Sequence, residues 1–136
     1  MKKWICVFSA LICAPVSADV VVVVSAKSAV NTMDKQTVSD IFLGKAGTFP
    51  GGGQALPLDQ SESSGLRTEF YDKVCSKNST QLRAYWSKQI FSGKGRPPKE
   101  VNNSAEVKQL VANNPNSIGY IDKGSVDGSV KVVFSP

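Results

Sequence analysis

Five consecutive valines, Val20 to Val24, constrain this chain more than any other stretch. β-Branched side chains are stiff at χ1 and favour extended backbone. A strand with no polar alternation is buried on both faces, as in the parallel sheets of α/β proteins. The run is therefore the candidate central strand of a sheet covered by helices. With 136 residues, 41% hydrophobic and 20% charged, the chain has the length and composition of one globular domain.

What precedes the run reads as a targeting segment. Met1-Lys2-Lys3 supplies a positive start, Trp4 to Cys13 an apolar stretch, and Val16-Ser17-Ala18 a small-residue cleavage site. Residues 1–18 are expected to be a cleaved signal peptide and residues 19–136 a single exported, periplasmic domain. A lipoprotein signal ending at Cys13 fits less well, because the residue before a lipidated cysteine is normally small and here it is Ile12. The apolar run is also shorter than the ~20 residues that span a bilayer, so no stable membrane insertion is expected after cleavage. Losing Lys2 and Lys3 lowers the formal charge from +5 to +3. That mild basicity suits small anions or acidic partners and gives no footprint for nucleic acid. Cys75 is the one cysteine beyond residue 18; beside Val74 near a helix end, it reads as a half-buried, inert thiol.

Taken in order, Val38, Ile41 and Phe42 recur at helical spacing until Gly44. A turn-rich loop from Lys45 to Gln54 follows, and its Gly51-Gly52-Gly53 either adds flexibility or admits a close approach to the backbone. Ala55 to Asp59 reads as a strand, and Leu66, Phe70 and Val74 as the apolar face of a helix. A further helix starts at Ser79 or Thr80, with Leu82, Tyr85, Trp86, Gln89 and Ile90 on one side, its aromatics read as core. Ser92 to Pro98 is a basic Gly/Pro connection. Ser104 caps a helix that carries Val107, Leu110 and Val111 inward and ends at Asn113 to Pro115. Ser117 to Ile121 and Val130 to Phe134 close the chain as strands across a turn near Asp127-Gly128. The order β-α-β-α-α-α-β-β predicts an α/β, three-layer sandwich with a mixed, partly parallel sheet.

Within this frame, the stretch from Ser61 to Phe70 is the candidate ligand site. A strand that ends in a Ser/Gly turn and opens a helix is where α/β folds place ligands. Ser61, Ser63 and Ser64 supply hydroxyls. Gly65 and Leu66 supply backbone N–H groups at the positive end of the helix dipole, and Arg67 sits in the first turn. These six residues form the candidate ligand-binding set for a phosphate-like oxyanion. An ordinary helix cap uses the same residue types, so both readings stand for this stretch.

Other chemistry is thin. The chain has no histidine, which removes the commonest general base, the Ser-His-Asp arrangement and Cys/His zinc sites together. The carboxylates, among them Asp34, Asp40, Asp59, Glu69 and Asp72, form no calcium-loop pattern. Binding without catalysis, with no cofactor and no metal, is the expectation.

Several segments, in order, resemble the periplasmic phosphate-binding proteins of ABC transporters. Val38 to Lys45 is similar to that family's "IF-x-G" helix end. Leu56-Pro57-Leu58-Asp59-Gln60 and Ser64-Gly65-Leu66-Arg67 with Phe70 are similar to its Arg-x-x-x-Ser-Gly-Thr turn. Trp86 with Phe91-Ser92-Gly93-Lys94-Gly95, and Asn114 to Tyr120, resemble its "W…G" and "pG-x-IGY" signatures. The resemblance implies one lobe of a type 2 periplasmic binding protein, with phosphate or a related anion held by the Ser64, Gly65 and Leu66 backbone. Gln60 stands where the family has an arginine, and Leu66 where it has a threonine, so a charge-assisted contact and a hydroxyl donor are missing. The family closes two lobes over its ligand and residues 19–136 supply one, which makes self-association or a partner protein the expected source of a second wall. The function expected from this reading is an exported solute-binding module linked to phosphate transport. The alternative is an envelope interaction or sensor-accessory protein that keeps the fold without tight ligand binding, using the loops at Gly51 to Gly53 and Lys94 to Lys99.

Overall fold

The computed structural model describes residues 19–136; the expected signal peptide lies outside them. Its elements are β1 (Val20–Ser25), α1 (Lys35–Phe42), β2 (Leu56–Gln60), α2 (Gly65–Cys75), α3 (Ser79–Phe91), β3 (Lys99–Val101), α4 (Ser104–Asn113), β4 (Ser117–Asp122), a 3₁₀ turn (Lys123–Ser125) and β5 (Val130–Phe134). The sheet order is β3-β2-β4-β1-β5. β2 runs parallel to β3 and β4, whereas β1 is antiparallel to both β4 and β5. The sheet is therefore mixed, as expected.

The valine run is buried throughout because the two faces of the sheet are both covered. Val20, Val22 and Val24 meet α1, α2 and α3 through Phe42, Phe70 and Leu82. Val21 and Val23 meet α4 through Val107 and Val111. This produces three layers. Gly119 makes the α4 layer possible, since a Cβ there would collide with Val107 Cγ1.

Four expectations are corrected. β4, not β1, is the middle strand, and β1 is flanked by antiparallel neighbours; burial on both faces reported coverage by helices and carried no information about strand direction. β4 and β5 do not pair with each other, because β1 lies between them. β3 was missed: it is a three-residue edge strand whose Lys99 and Glu100 are exposed, too short to show a pattern. Ile90 leaves the core face of α3 and is exposed, because it borders the open hollow between α2 and α3 where no element covers it.

The glycine triplet has a backbone reason. Gly51, Gly52 and Gly53 all have positive φ, in a turn closed by the Phe49 N–H on the Gly53 carbonyl (2.9 Å) and anchored by buried Phe49. That conformation favours glycine irrespective of any partner.

Candidate functional site

The carboxyl end of β2 delivers Asp59 and Gln60 into the protein, and both are buried. A carboxylate in that position requires partners. Tyr71 of α2 donates its hydroxyl to Asp59 Oδ2 (2.6 Å), and Tyr120 of β4 donates to Oδ1. The Gln60 N–H also reaches Oδ1, at 2.8 Å. Burial, and then the Asp59 carboxylate beside it, pushes the Tyr71 hydroxyl well above the usual tyrosine pKa; the same two causes, in the same order, raise Tyr120. Both therefore remain hydrogen-bond donors at any physiological pH. Phe70 stacks on the Tyr120 ring at 4.2 Å between centroids and holds it in place.

Gln60 ties the first turns of two helices together. Its Oε1 accepts from the Ser64 hydroxyl (2.9 Å), and its Nε2 donates to the Ser104 hydroxyl (3.2 Å) and the Tyr120 carbonyl (2.9 Å). This has a consequence for α2. The N-cap side chains of α1, α3 and α4 (Asp34, Asn78 and Asn103) each accept a bond from a backbone N–H in their own first turn. Ser64, the N-cap of α2, makes no such bond because its hydroxyl is directed to Gln60. Among the described residues, the N–H groups of Gly65, Leu66 and Arg67 find no acceptor. For α4, the structure moves the cap from the expected Ser104 to Asn103.

The six candidate residues divide accordingly. Ser61, Ser63, Ser64 and Gly65 form one open turn. The Ser61 and Ser63 hydroxyls are 2.9 Å apart, and the Ser64 N–H closes the turn on the Ser61 carbonyl at 2.9 Å. Gly65 has no positive φ, and a Cβ there would meet nothing within 4 Å, so neither backbone nor packing demands glycine. Leu66 offers its N–H to the turn while its side chain packs against the core. Arg67 points elsewhere. Its Nη1 donates to the Gln60 carbonyl (2.9 Å) and lies 3.6 Å from both Asp59 Oδ2 and Glu100 Oε2. Its guanidinium thus balances carboxylates below the turn. Glu62 is exposed in the turn itself, which leaves the helix start as the feature there that favours an anion.

Sequence reasoning did not assign Asp59, Tyr71, Tyr120 or Ser104 to the site. Asp59 carried a signal, a carboxylate at the end of the apolar strand Leu56–Gln60, but its tyrosine partners come from distant positions. Beside this network, between α2 and α3, is a hollow of about 550 Å³ lined by Asp59, Arg67, Tyr71, Leu82, Trp86 and Glu100, among others. Cys75 is half-buried, and burial raises its thiol pKa, which suits an inert role.

No protein-family model and no curated protein sequence matches the chain. Solved structures do match. A candidate phosphate ABC transporter substrate-binding protein from Clostridium perfringens, with bound phosphate, aligns at 22% identity and a TM-score of 0.65, covering 85% of this chain and 44% of its own. An ABC-type phosphate transport receptor from Vibrio cholerae aligns at 21% identity and 0.67, covering 85% and 45%. PstS from Borrelia burgdorferi aligns at 16% identity and 0.64, covering 85% and 46%. The chain spans less than half the length of these structures. Over that part it has the fold of substrate-binding proteins, the fold expected from the resemblance.

Proposed function

We propose that this chain is an exported solute-binding module that takes a small oxyanion, phosphate first, at the turn formed by Ser61, Ser63, Ser64 and Gly65 and at the N–H groups of Gly65, Leu66 and Arg67. The observation that carries the reading is the diversion of the Ser64 hydroxyl to Gln60. It leaves the first turn of α2 without the side-chain cap that the other α-helices have, at the carboxyl end of a parallel strand. Backbone N–H groups at a helix start hold oxyanions through hydrogen bonds and the helix dipole. A fold neighbour with bound phosphate adds weight. Residues 19–136 by themselves leave the turn open to water and salt, so they bind weakly until a second wall, such as another copy or an envelope partner, closes over it.

Thermal unfolding with millimolar phosphate, against sulfate and chloride at matched ionic strength, tests the reading. A ligand that binds the native state alone stabilises it by RT ln(1 + [L]/Kd). The expected result is a phosphate-dependent rise in Tm that Gly65→Leu removes, since a Cβ there meets nothing within 4 Å and the added side chain crowds the N–H groups at the turn. Arg67→Ala is a poor probe because it strips a cation from Asp59. An absence of any oxyanion-dependent shift overturns the proposal.

A further inference from the structure

Charge is distributed unevenly along this chain. Residues 73–99 carry seven lysines and arginines and no carboxylate. They comprise the end of α2, all of α3 and the connection into β3. The last turn of α3 also presents the largest exposed apolar side chains of the described residues, Phe91 at 94% and Ile90 at 57% exposure. Lys88 precedes them by one turn, and Lys94 and Arg96 follow; all three are exposed and have no carboxylate partner among the described residues.

This apolar tip is held in place by a well-formed helix end. Gly93, at φ +67°, lets the chain close back on α3, with its N–H on the Ile90 carbonyl (3.1 Å) and the Lys94 N–H on the Gln89 carbonyl (3.0 Å). These two bonds make a Schellman motif. Such motifs commonly pair apolar residues at the positions occupied here by Gln89 and Lys94. With polar residues there, Ile90 and Phe91 gain no cover. One turn earlier, buried Trp86 fixes the helix to the core, its ring against Gly44 and Gly95.

We propose that the end of α3 is a peripheral docking site for an anionic phospholipid surface, with Phe91 and Ile90 entering the interface and Lys88, Lys94 and Arg96 facing the headgroups. The tip exposes one aromatic and one aliphatic side chain, Ile90 at the rim of the hollow between α2 and α3, with long cationic side chains just before and after them in sequence whose stems can lie along an apolar boundary. A fluid lipid surface requires this charge and this apolar tip, and no matching shape. Two apolar side chains and a few cations give reversible attachment, not insertion.

Full-length protein is expressed, and the form that accumulates is purified identically for every variant. Its sedimentation with phosphatidylcholine vesicles is compared with that on vesicles also containing phosphatidylglycerol, in phosphate-free buffer. Binding to the mixed vesicles is expected to fall as salt rises. Phe91→Ser should lower the partition coefficient roughly tenfold, and Lys94→Gln with Arg96→Gln roughly thirtyfold. Phe91→Trp should show a blue-shifted emission on the mixed vesicles only. Equal partition on both vesicle types overturns the proposal, as does partition that is indifferent to Phe91→Ser. Loss of partition in Gly65→Leu also overturns it, because headgroup phosphate would then be held at the α2 turn. Self-association that Phe91→Ser abolishes, without vesicle binding, assigns the tip to a second copy of the chain instead.

Discussion

The first turns of α2 and α4 lie within reach of one side chain, that of Gln60, yet they are satisfied in different ways. At α4 the cap is Asn103, which accepts the Glu106 N–H at 3.0 Å, while Glu106 returns to the Asn102 N–H at 3.0 Å. The Ser104 hydroxyl, one residue further on, is then free to accept from Gln60 Nε2 and the Asp122 N–H. At α2 the serine that meets Gln60 is itself the N-cap. A shift of one residue thus separates a closed helix start from an open one. Leaving a cap bond unmade costs about 1 kcal/mol, which is the scale of stability forgone at α2. The difference shows that an open helix start can be set by a residue of the preceding strand and need not lack a capping side chain.

The largest effect is expected where both starts depend on the same group. Gln60 is 1% exposed and makes three side-chain hydrogen bonds. Gln60→Leu leaves the Tyr120 carbonyl and two serine hydroxyls to find other partners, and the expected loss is about 3 kcal/mol by urea unfolding. A loss below about 1 kcal/mol would mean that water or local rearrangement replaces those bonds, and the link between the helices would be incidental. The freed Ser64 hydroxyl could then cap α2, so the same variant should also weaken the phosphate-linked stabilisation.

A second contrast lies beneath the two starts, since buried Asp59 with its two tyrosines supports α2 alone. Because the folded-state pKa of each tyrosine is raised, the associated stability is fully present below the unfolded tyrosine pKa. It declines as pH rises above about 10, where the unfolded chain loses protons that the folded chain retains. Each such tyrosine adds a slope of about −1.4 kcal/mol per pH unit above that point. Denaturant unfolding over the alkaline range should show Tyr71→Phe losing one such slope. An unchanged slope would show that Tyr71 does not remain protonated in the fold.

Local patterns carried much of this architecture. The valine run, the turn at Gly44, the helix over Leu66, Phe70 and Val74, and Trp86 as core are all features of neighbouring residues, and each is where its pattern places it. Strand order was not legible, because burial of Val20 to Val24 is the same with parallel or antiparallel neighbours. The open turn was legible in its residue types, Ser61, Ser63, Ser64 and Gly65. The reason for its openness was not, because Gln60 acts from four residues before Ser64 only when β4 and α4 position it. Arg67 shows the limit most clearly. Sequence places a cation in the first turn of α2, but only the fold puts Asp59 and Glu100 within 3.6 Å of it.

At α4, Asn103→Ala removes the local cap while leaving the Gln60 to Ser104 bond in place. The expected loss is about 1 kcal/mol in urea unfolding, with phosphate-linked stabilisation unchanged. A larger loss, or one that alters the phosphate response, would indicate that the two helix starts are coupled more tightly than a shared glutamine implies.

The smallest change in stability belongs to the variant that would make α2 resemble α4. Ser64→Asp cannot donate to Gln60 Oε1, so one hydrogen bond worth about 1 kcal/mol is lost. Its carboxylate can accept the N–H groups of Leu66 and Arg67 and lies at the positive end of the helix dipole, regaining about 1 kcal/mol. The two nearly cancel, and urea unfolding should move by no more than about 0.5 kcal/mol. Phosphate-linked stabilisation should disappear nonetheless, because a tethered anion now occupies the N–H groups and repels a free one. If phosphate still stabilised the Ser64→Asp protein, the anion would be bound away from the start of α2. If instead Ser64→Asp raised stability by more than about 1 kcal/mol and the unaltered protein ignored phosphate, the turn would be an unfilled cap, and the difference between the two helices would have no ligand behind it.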